Sequence, residues 1–510
     1  MDEIQFLAIE TINKGKQAIV FVPSRASAEK TSEDISKLVD AHHLDLESEV
    51  LRAASTPTKQ CKRLSKIIRK GVAFHHAGLL QKQKDLIEEE FKQGKIKIIC
   101  ATPTLAAGLS LPVFRVIIKS LKRFSGRWGM DWIPVLEYLQ MAGRAGRPEY
   151  EAYGESIVIA KDEAHKTEIY EKYVCGKPEE IYSKLAVEPV LRTYLLSLIS
   201  SGIIRDEESM KQFFAKTFWA HQYKDMDKLE MIMDKMLDLL DGWEFVNVIG
   251  QTEKKDDFQF ASSIGKKTNK LMKPTLIGKR ISELYLDPLT ANHLIECLKE
   301  YNAEKEVFSL LQMVAHTLEM RPLLRLKVKD DFVQEELTQR FDQLLKEEPS
   351  EFDLDYDDFL KSIKTTLFFE DWINEKNEDF LMEKFGIRPG EIRMKLESAD
   401  WLLYAASELA KIEGYNELIK DIHKLRIRVK NGVKEELLPL LKLKGIGRMR
   451  ARKMYMNGLK DLGDLKKIDL VSLSQILGKA VSTSIKKQLG EDVVVVPAGK
   501  LKGQLSLEKF

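Results

Sequence analysis

Five short β-rich runs punctuate the first 160 residues: "AIVFVPS" (18–24), "VAFHHAG" (72–78), "IKIICATPT" (96–104), "FRVIIKS" (114–120) and "ESIVIAK" (155–161). Between them lie amphipathic helical patterns such as "SRASAEKTSEDISKLVDAHH" and "LLQKQKDLIEEEFKQG", the latter closed by Gly94 as a helix stop. Strand alternating with helix is the grammar of a doubly wound α/β domain with a parallel sheet. Such a sheet carries its ligand loops at the C-terminal ends of the strands. Ser24-Arg25, His75-His76 and Thr102-Pro103-Thr104 fall at those ends, so their polar groups should gather on one edge.

From about residue 170 the strand runs thin out. "YSKLAVEPVLRTYLLSLISSGII" followed by "MDKLEMIMDKMLDLLDGWEFVNVIG" reads as helices and then a β-wing, the pattern of a winged helix. After "LIGKRISELYLDPLTA" (276–291) an all-helical region runs to about 425, interrupted by the acidic stretch "KEEPSEFDLDYDD" (346–358), expected to be a solvated loop. The fold class is thus multidomain, α/β and then mostly α. The expected domains are 1–168, 169–280, 281–425 and 426–510.

Composition narrows the class. Hydrophobic content of 44% and charged content of 31% exclude general disorder. No apolar run approaches the ~18 residues that a membrane span needs. Cys61, Cys100, Cys175 and Cys297 form no CxxC pair, which argues against a disulfide framework or zinc ribbon and fits a reducing, cytoplasmic setting. The adjacent His75 and His76 point to opposite strand faces and cannot easily chelate one ion, so no metal site is expected there. Net charge is only +2, yet residues 421–510 carry 20 Lys/Arg against 9 Asp/Glu. That basic tail is the candidate for contact with a polyanion, a solvated basic surface being the alternative.

Four segments stand in order along the α/β region: "VFVPSR" (20–25), "FHHAGL" (74–79), "ATPTLAAGLSLP" (101–112) and "QMAGRAGR" (140–147). Singly they are weak; together they resemble motifs IV, IVa, V and VI of superfamily-two helicases. Their wording is most similar to the Ski-like DNA helicases, within them the archaeal Hjm helicases and the helicase part of polymerase theta, and the likeness extends over essentially the whole chain. The resemblance implies a second RecA-like lobe that completes, in trans, a nucleotide site held mainly by a first lobe. It implies Arg144 and Arg147 as arginine fingers, Gln140 as their polar support and Gly108 as the close-approach glycine. A guanidinium fork matches phosphate geometry, which suits that role. Ser24, Arg25, His76, Thr102 and Thr104 sit where the family grips a phosphodiester backbone, a task that positions a strand without reading bases.

Between motifs V and VI, "IIKSLKRFSGRWGMDWIP" (117–134) has two β-prone arms around Gly126 and Gly129. In the resembled family a hairpin here wedges the duplex open, which implies Phe124 and Trp128 as wedge residues; a plain surface hairpin is the alternative. The chain has no phosphate cradle of the form GxxxxGK[ST]. The "DEAH" of Asp162–His165 follows motif VI and has no Walker A before it, so it is read as a decoy. ATP and Mg²⁺ are therefore expected to be held by a first lobe outside these 510 residues, supplied in cis or in trans.

The stretch "PGEIRMKLESADWLLYAASELAKI" (389–412) places Leu396, Ala399, Leu402, Leu403, Ala406, Leu409 and Ala410 on one apolar arc. Trp401 projects about 145° from the centre of that arc, suited to stacking on a base. In the resembled family this is the ratchet helix, with an arginine seven residues before the tryptophan. Here Met394 takes that place and Arg393, turned away by about 80°, is the nearest arginine. Packing of Trp401 on a neighbouring segment is the alternative. In the tail, "LKGIG" (443–447) resembles the hairpin of a helix-hairpin-helix element, with Gly445 and Gly447 opening backbone N–H groups to a phosphate and Arg448 and Arg450 adding charge. An ordinary αα-turn is the alternative. Gln504, Leu507 and Phe510 have the spacing of the peptide that docks on the sliding clamp PCNA.

These readings predict the DNA-tracking part of an archaeal, monomeric, ATP-dependent 3′→5′ helicase working on single-stranded and forked DNA in repair and recombination. Polarity and fork preference are implied by the resemblance. Two alternatives stay open: a non-catalytic DNA-binding protein that has lost its first motor lobe, and an RNA-directed Ski-like helicase.

Overall fold

The computed structural model describes residues 1–54, 57–108, 111–124, 130–146, 152–250, 270–302 and 304–490. It divides into two compact units, residues 1–282 with 378–395, and residues 283–377 with 396 onward. The units are therefore not continuous in sequence: a segment from the helical region is built into the first.

In the first unit, Ala18–Phe21 (β1), Val72–His75 (β2), Ile98–Ala101 (β3), Arg115–Ile118 (β4) and Glu155–Val158 (β7) form one sheet in the order β2-β3-β1-β4-β7. Every pairing is parallel, with Ala18 flanked by Ile98 and Arg115. β1 to β4 are buried along their whole length, as helices on both faces require. Arg115 is 2% exposed in this core. Its guanidinium is held by Glu155, by Glu10 at 2.8 Å and by the Leu7 carbonyl at 3.0 Å, the pairing that a buried charge needs. Lys122–Phe124 (β5) and Met130–Trp132 (β6) make an antiparallel ribbon, so the arms of the expected hairpin are present; its turn, with Trp128, and the Phe124 side chain lie outside the described residues.

Helices Glu188–Ser200, Glu207–Phe214, Phe218–Tyr223 and Met226–Gly242 follow, and then Val246–Gly250 (β8) pairs antiparallel with Lys270–Pro274 (β9). This is the helical bundle and wing expected of the second region.

The second unit is helical. Helix Val307–Ala315 is buried at every position from Phe308 to Ala315, an internal helix around which Pro288–Glu300 and Tyr356–Ile373 pack. The acidic stretch forms turns with Phe352 and Leu354 fully exposed. The tail has its own small core, including Val433, Leu440, Ile446, Met454, Leu465 and Ile485.

Candidate nucleic-acid interface

The C-terminal edge of the sheet gathers the expected polar residues. Ser24 is exposed and caps helix Arg25–Ser36, its hydroxyl accepting from the Ser27 N–H at 3.2 Å. Thr102 and Thr104 follow β3 with their hydroxyls 3.0 Å apart. Arg25 forms an ion pair with Glu391. These groups remain at the surface, where a backbone phosphate can reach them.

His76 is different. It is 1% exposed, its Nδ1 accepts from the Gly78 N–H at 3.1 Å, and its Nε2 lies 3.3 Å from Glu29, off the line of a good hydrogen bond. The expected phosphate contact is not available to a ring enclosed in this way, because it has no face toward solvent. Burial pushes its pKa down, which favours the neutral ring. His75, on the other side of the strand, sits 3.0 Å from Glu88, with burial lowering its pKa to about 4. Among the described residues, no group of three or more His, Cys, Asp or Glu is placed to hold a metal ion.

Glu29 is the hub that sequence reading missed. Its 2%-exposed carboxylate receives Gln60 at 3.1 Å, Arg63 at 2.5 Å and Arg388. Burial pushes this carboxyl up, yet the contact with His76 and the charges of Arg388 and Arg63 prevail and hold it at about 2. Beside it, Gly390 N–H donates to the Gly78 carbonyl at 3.0 Å, and a Cβ on Gly390 would lie 2.3 Å from the Ala77 oxygen. The start of helix Pro389–Ile412 is therefore clamped onto the turn after β2 by a charge cluster around one buried carboxylate and a close backbone approach. Only the pattern H-H-A-G and the dipeptide Pro389-Gly390 hinted at it. Neither says that the two are neighbours.

Motif VI begins in the last turn of helix Val135–Ala142, on which Gln140 is exposed. The Arg144 guanidinium donates through Nε to the Ala106 carbonyl at 3.1 Å, joined there by Nη2. A bridge between Val113 and Ala145 adds to this link between motifs V and VI. Gly108 ends the short helix Thr104–Gly108; Arg147 lies outside the described residues. Asp162 caps helix Glu163–Ile169, accepting the His165 N–H at 2.7 Å. Helix capping thus accounts for this acid of the "DEAH" stretch.

The long helix runs from Pro389 to Ile412 as its pattern required. Leu396 is 6% exposed, and the other arc residues named above are fully buried. Arg393 and Met394 are exposed on the other side. Trp401 is half-buried, and its indole N–H donates to the Leu284 carbonyl at 3.2 Å, so its ring plane is fixed by a neighbouring segment of the same unit. Next along that face, Arg426 lies 4.9 Å from the centroid of Tyr404 and pairs with Asp400 at 2.8 Å.

In the tail, Gly445 has a φ of +81° and Gly447 caps helix Arg448–Met456. Arg450 closes the hairpin on itself, donating to the Gly445 carbonyl at 2.6 Å. Arg448 lies over Trp372 and donates to the Lys376 carbonyl, while Arg452 is held by Glu375 and by Glu436 at 2.9 Å. The proposed clamp-docking residues Gln504, Leu507 and Phe510 lie outside the described residues.

A parallel-sheet lobe, a helical region with a wing and a helical domain follow one another in sequence, and family comparisons match them region by region. Residues 2–149 match the helicase conserved C-terminal domain, 154–247 a helix-turn-helix domain, and 308–432 domain 4 of archaeal helicases. The chain is similar to the ATP-dependent DNA helicase Hel308 of Pyrococcus abyssi (strain GE5 / Orsay), 35% identical over 503 residues, covering 96% of this chain and 66% of the relative. The Hel308 helicases of Methanocella arvoryzae and Pyrococcus horikoshii are 35% and 36% identical, with 97% and 96% of this chain and again 66% of each relative covered. The chain thus spans a little under two thirds of the length of these relatives. Among the described residues no helix is long and apolar enough to cross a membrane.

Proposed function

We propose that this chain is the DNA-tracking portion of an ATP-dependent 3′→5′ DNA helicase that opens branched or stalled-fork DNA in repair and recombination. The observation that carries the reading is the clamp of helix Pro389–Ile412 onto the turn after β2. The sheet edge with Ser24, Thr102 and Thr104 would hold the phosphate backbone, Trp401 would stack on a base, and a displacement of the lobe would be passed to the start of that helix. Arg393 and the Gly445–Gly447 hairpin add contacts to the phosphate backbone.

ATP fits this lobe from one side. Arg144 and Gln140 offer N–H donors beside motif V, and with Arg147 they would stabilise charge on the transferring phosphoryl group. A first RecA-like lobe, in the same polypeptide or a separate one, would supply the cradle and the Mg²⁺ ligands. The remaining parts of the reading are a monomeric motor, opening of the duplex at Phe124 and Trp128, and clamp docking through Gln504, Leu507 and Phe510.

The test is a pair of measurements on the 510-residue chain. It should bind single-stranded DNA without hydrolysing ATP, and gain DNA-stimulated hydrolysis when the first lobe of a relative is added. DNA-stimulated turnover by the chain alone, abolished in Asp162→Ala, would overturn the two-lobe reading.

A further inference from the structure

Tyr285 is 85% exposed between two buried leucines, Leu284 at 6% and Leu286 at 1%. Its φ of +56° lies in the left-handed region, which bulky side chains rarely adopt. The loop is held there from several sides. The Leu284 carbonyl accepts the Trp401 indole N–H at 3.2 Å, the Asp287 N–H donates to Glu319 at 2.9 Å, and the Asp287 carboxylate caps helix Pro288–Glu300. With both leucines committed to the core, the tyrosine side chain is left in solvent. Strain kept by an over-determined loop marks a position where the outward side chain has a use, since glycine would fit the same backbone at no steric cost.

We infer that Tyr285 is a second base-stacking platform, acting with Trp401 on single-stranded DNA. The hydrogen bond between Trp401 and Leu284 sets the two aromatic residues at one site in the second unit, and Tyr404 with Arg426 extends the surface one helical turn further. Stacked aromatics accept any base, because every base has a π-face, and an arginine adds attraction for the strand. This inference rests on the DNA-tracking reading above.

The experiment compares the unsubstituted chain with Tyr285→Phe and Tyr285→Gly, using labelled oligothymidylate for binding and thermal melting for stability. Tyr285→Phe should bind as the parent does. Tyr285→Gly should melt at the same or a higher temperature and yet bind roughly fivefold or more weakly, the loss of one stacking contact. A merely structural tyrosine would not separate binding from stability in this way. An oligonucleotide carrying 5-iodouracil should also photocross-link to Tyr285 in the parent chain. Equal binding by Tyr285→Gly, or a cross-link that never reaches Tyr285, overturns the inference and leaves a protein partner as the occupant of the ring. If the unsubstituted chain binds no oligothymidylate, the DNA-tracking reading has failed and this inference falls with it.

Discussion

Glu29 and Arg388, 359 positions apart in sequence, form a half-buried ion pair that fastens the start of a long helix to helix Arg25–Ser36 of the parallel-sheet lobe. Removing one partner of such a pair strands the other charge. Glu29→Ala should therefore lower stability by roughly 1–3 kcal/mol, measured by urea unfolding, since Arg388 and Arg63 keep part of their hydration. Arg388 and Arg63 would be left facing an empty site, so Glu29→Gln, which keeps the volume, should recover only part of the loss.

The pH dependence follows from this cluster and from His75 on the opposite face of β2. Glu29 has a folded pKa depressed from 4.5 to about 2, so its contribution is complete above the unfolded value and disappears as pH falls through the folded one. His75 is depressed from 6.5 to about 4 by burial, so the unfolded state binds the extra proton between those values and stability drops as pH falls across that window. Unfolding free energy should decline in two stages on acidification, first below 6.5 and again below 4.5. Glu29→Gln should flatten the second stage alone.

Gly390 meets the Ala77 and Leu79 carbonyls so closely that a Cβ would lie 2.3 Å and 2.6 Å from them. Gly390→Ala must push the helix start off the turn. Hydrogen exchange at Gly78 and Gly390 should rise, and unwinding by the two-lobe assembly should fall further than its ATP hydrolysis does. Unchanged exchange at both amides would show that the clamp tolerates a side chain.

Trp401 combines a hydrogen bond to Leu284 with a half-exposed ring. Trp401→Phe keeps an aromatic face but loses the N–H and part of the ring, and should cost at least about 1 kcal/mol of stability while DNA binding persists in part. Trp401→Ala removes the ring and should weaken binding by ~1–3 kcal/mol, uncoupling unwinding from hydrolysis. Equal binding by both variants would make the residue a packing element.

Arg144 donates to the Ala106 carbonyl from two nitrogens of one guanidinium. With a first lobe supplied, Arg144→Ala should lower kcat by at least ~10³. Arg144→Lys should not rescue it, because an ammonium cannot reproduce the planar fork. Recovery of turnover by lysine would reduce the role of Arg144 to charge.

Arg450 both closes the Gly445 turn and carries charge at the hairpin. If it also meets a phosphate, Arg450→Ala should reduce the slope of log affinity against log salt by about 1. A change in affinity with the slope intact would assign it to hairpin geometry alone.

The local order of this protein was legible in its residues. Strand runs alternating with amphipathic helices determined the parallel sheet and its polar edge, and the 3.6-residue period within 389–412 determined the buried arc of the long helix, because those patterns are local. Contacts between distant segments carry no such period. Nothing about Glu29 in an otherwise ordinary helix says that it will meet His76, Arg63 and Arg388, or that His76 will be enclosed there instead of facing a strand. The left-handed turn at Tyr285 was equally hidden: "ELYLDP" contains no glycine at that position, and the conformation is imposed by Trp401 and Glu319 from elsewhere in the chain. Sequence periodicity decided which elements form. Tertiary packing decided which polar groups stay at the surface and which are consumed in holding the elements together, since a buried charge is tolerated only where partners from other segments converge on it.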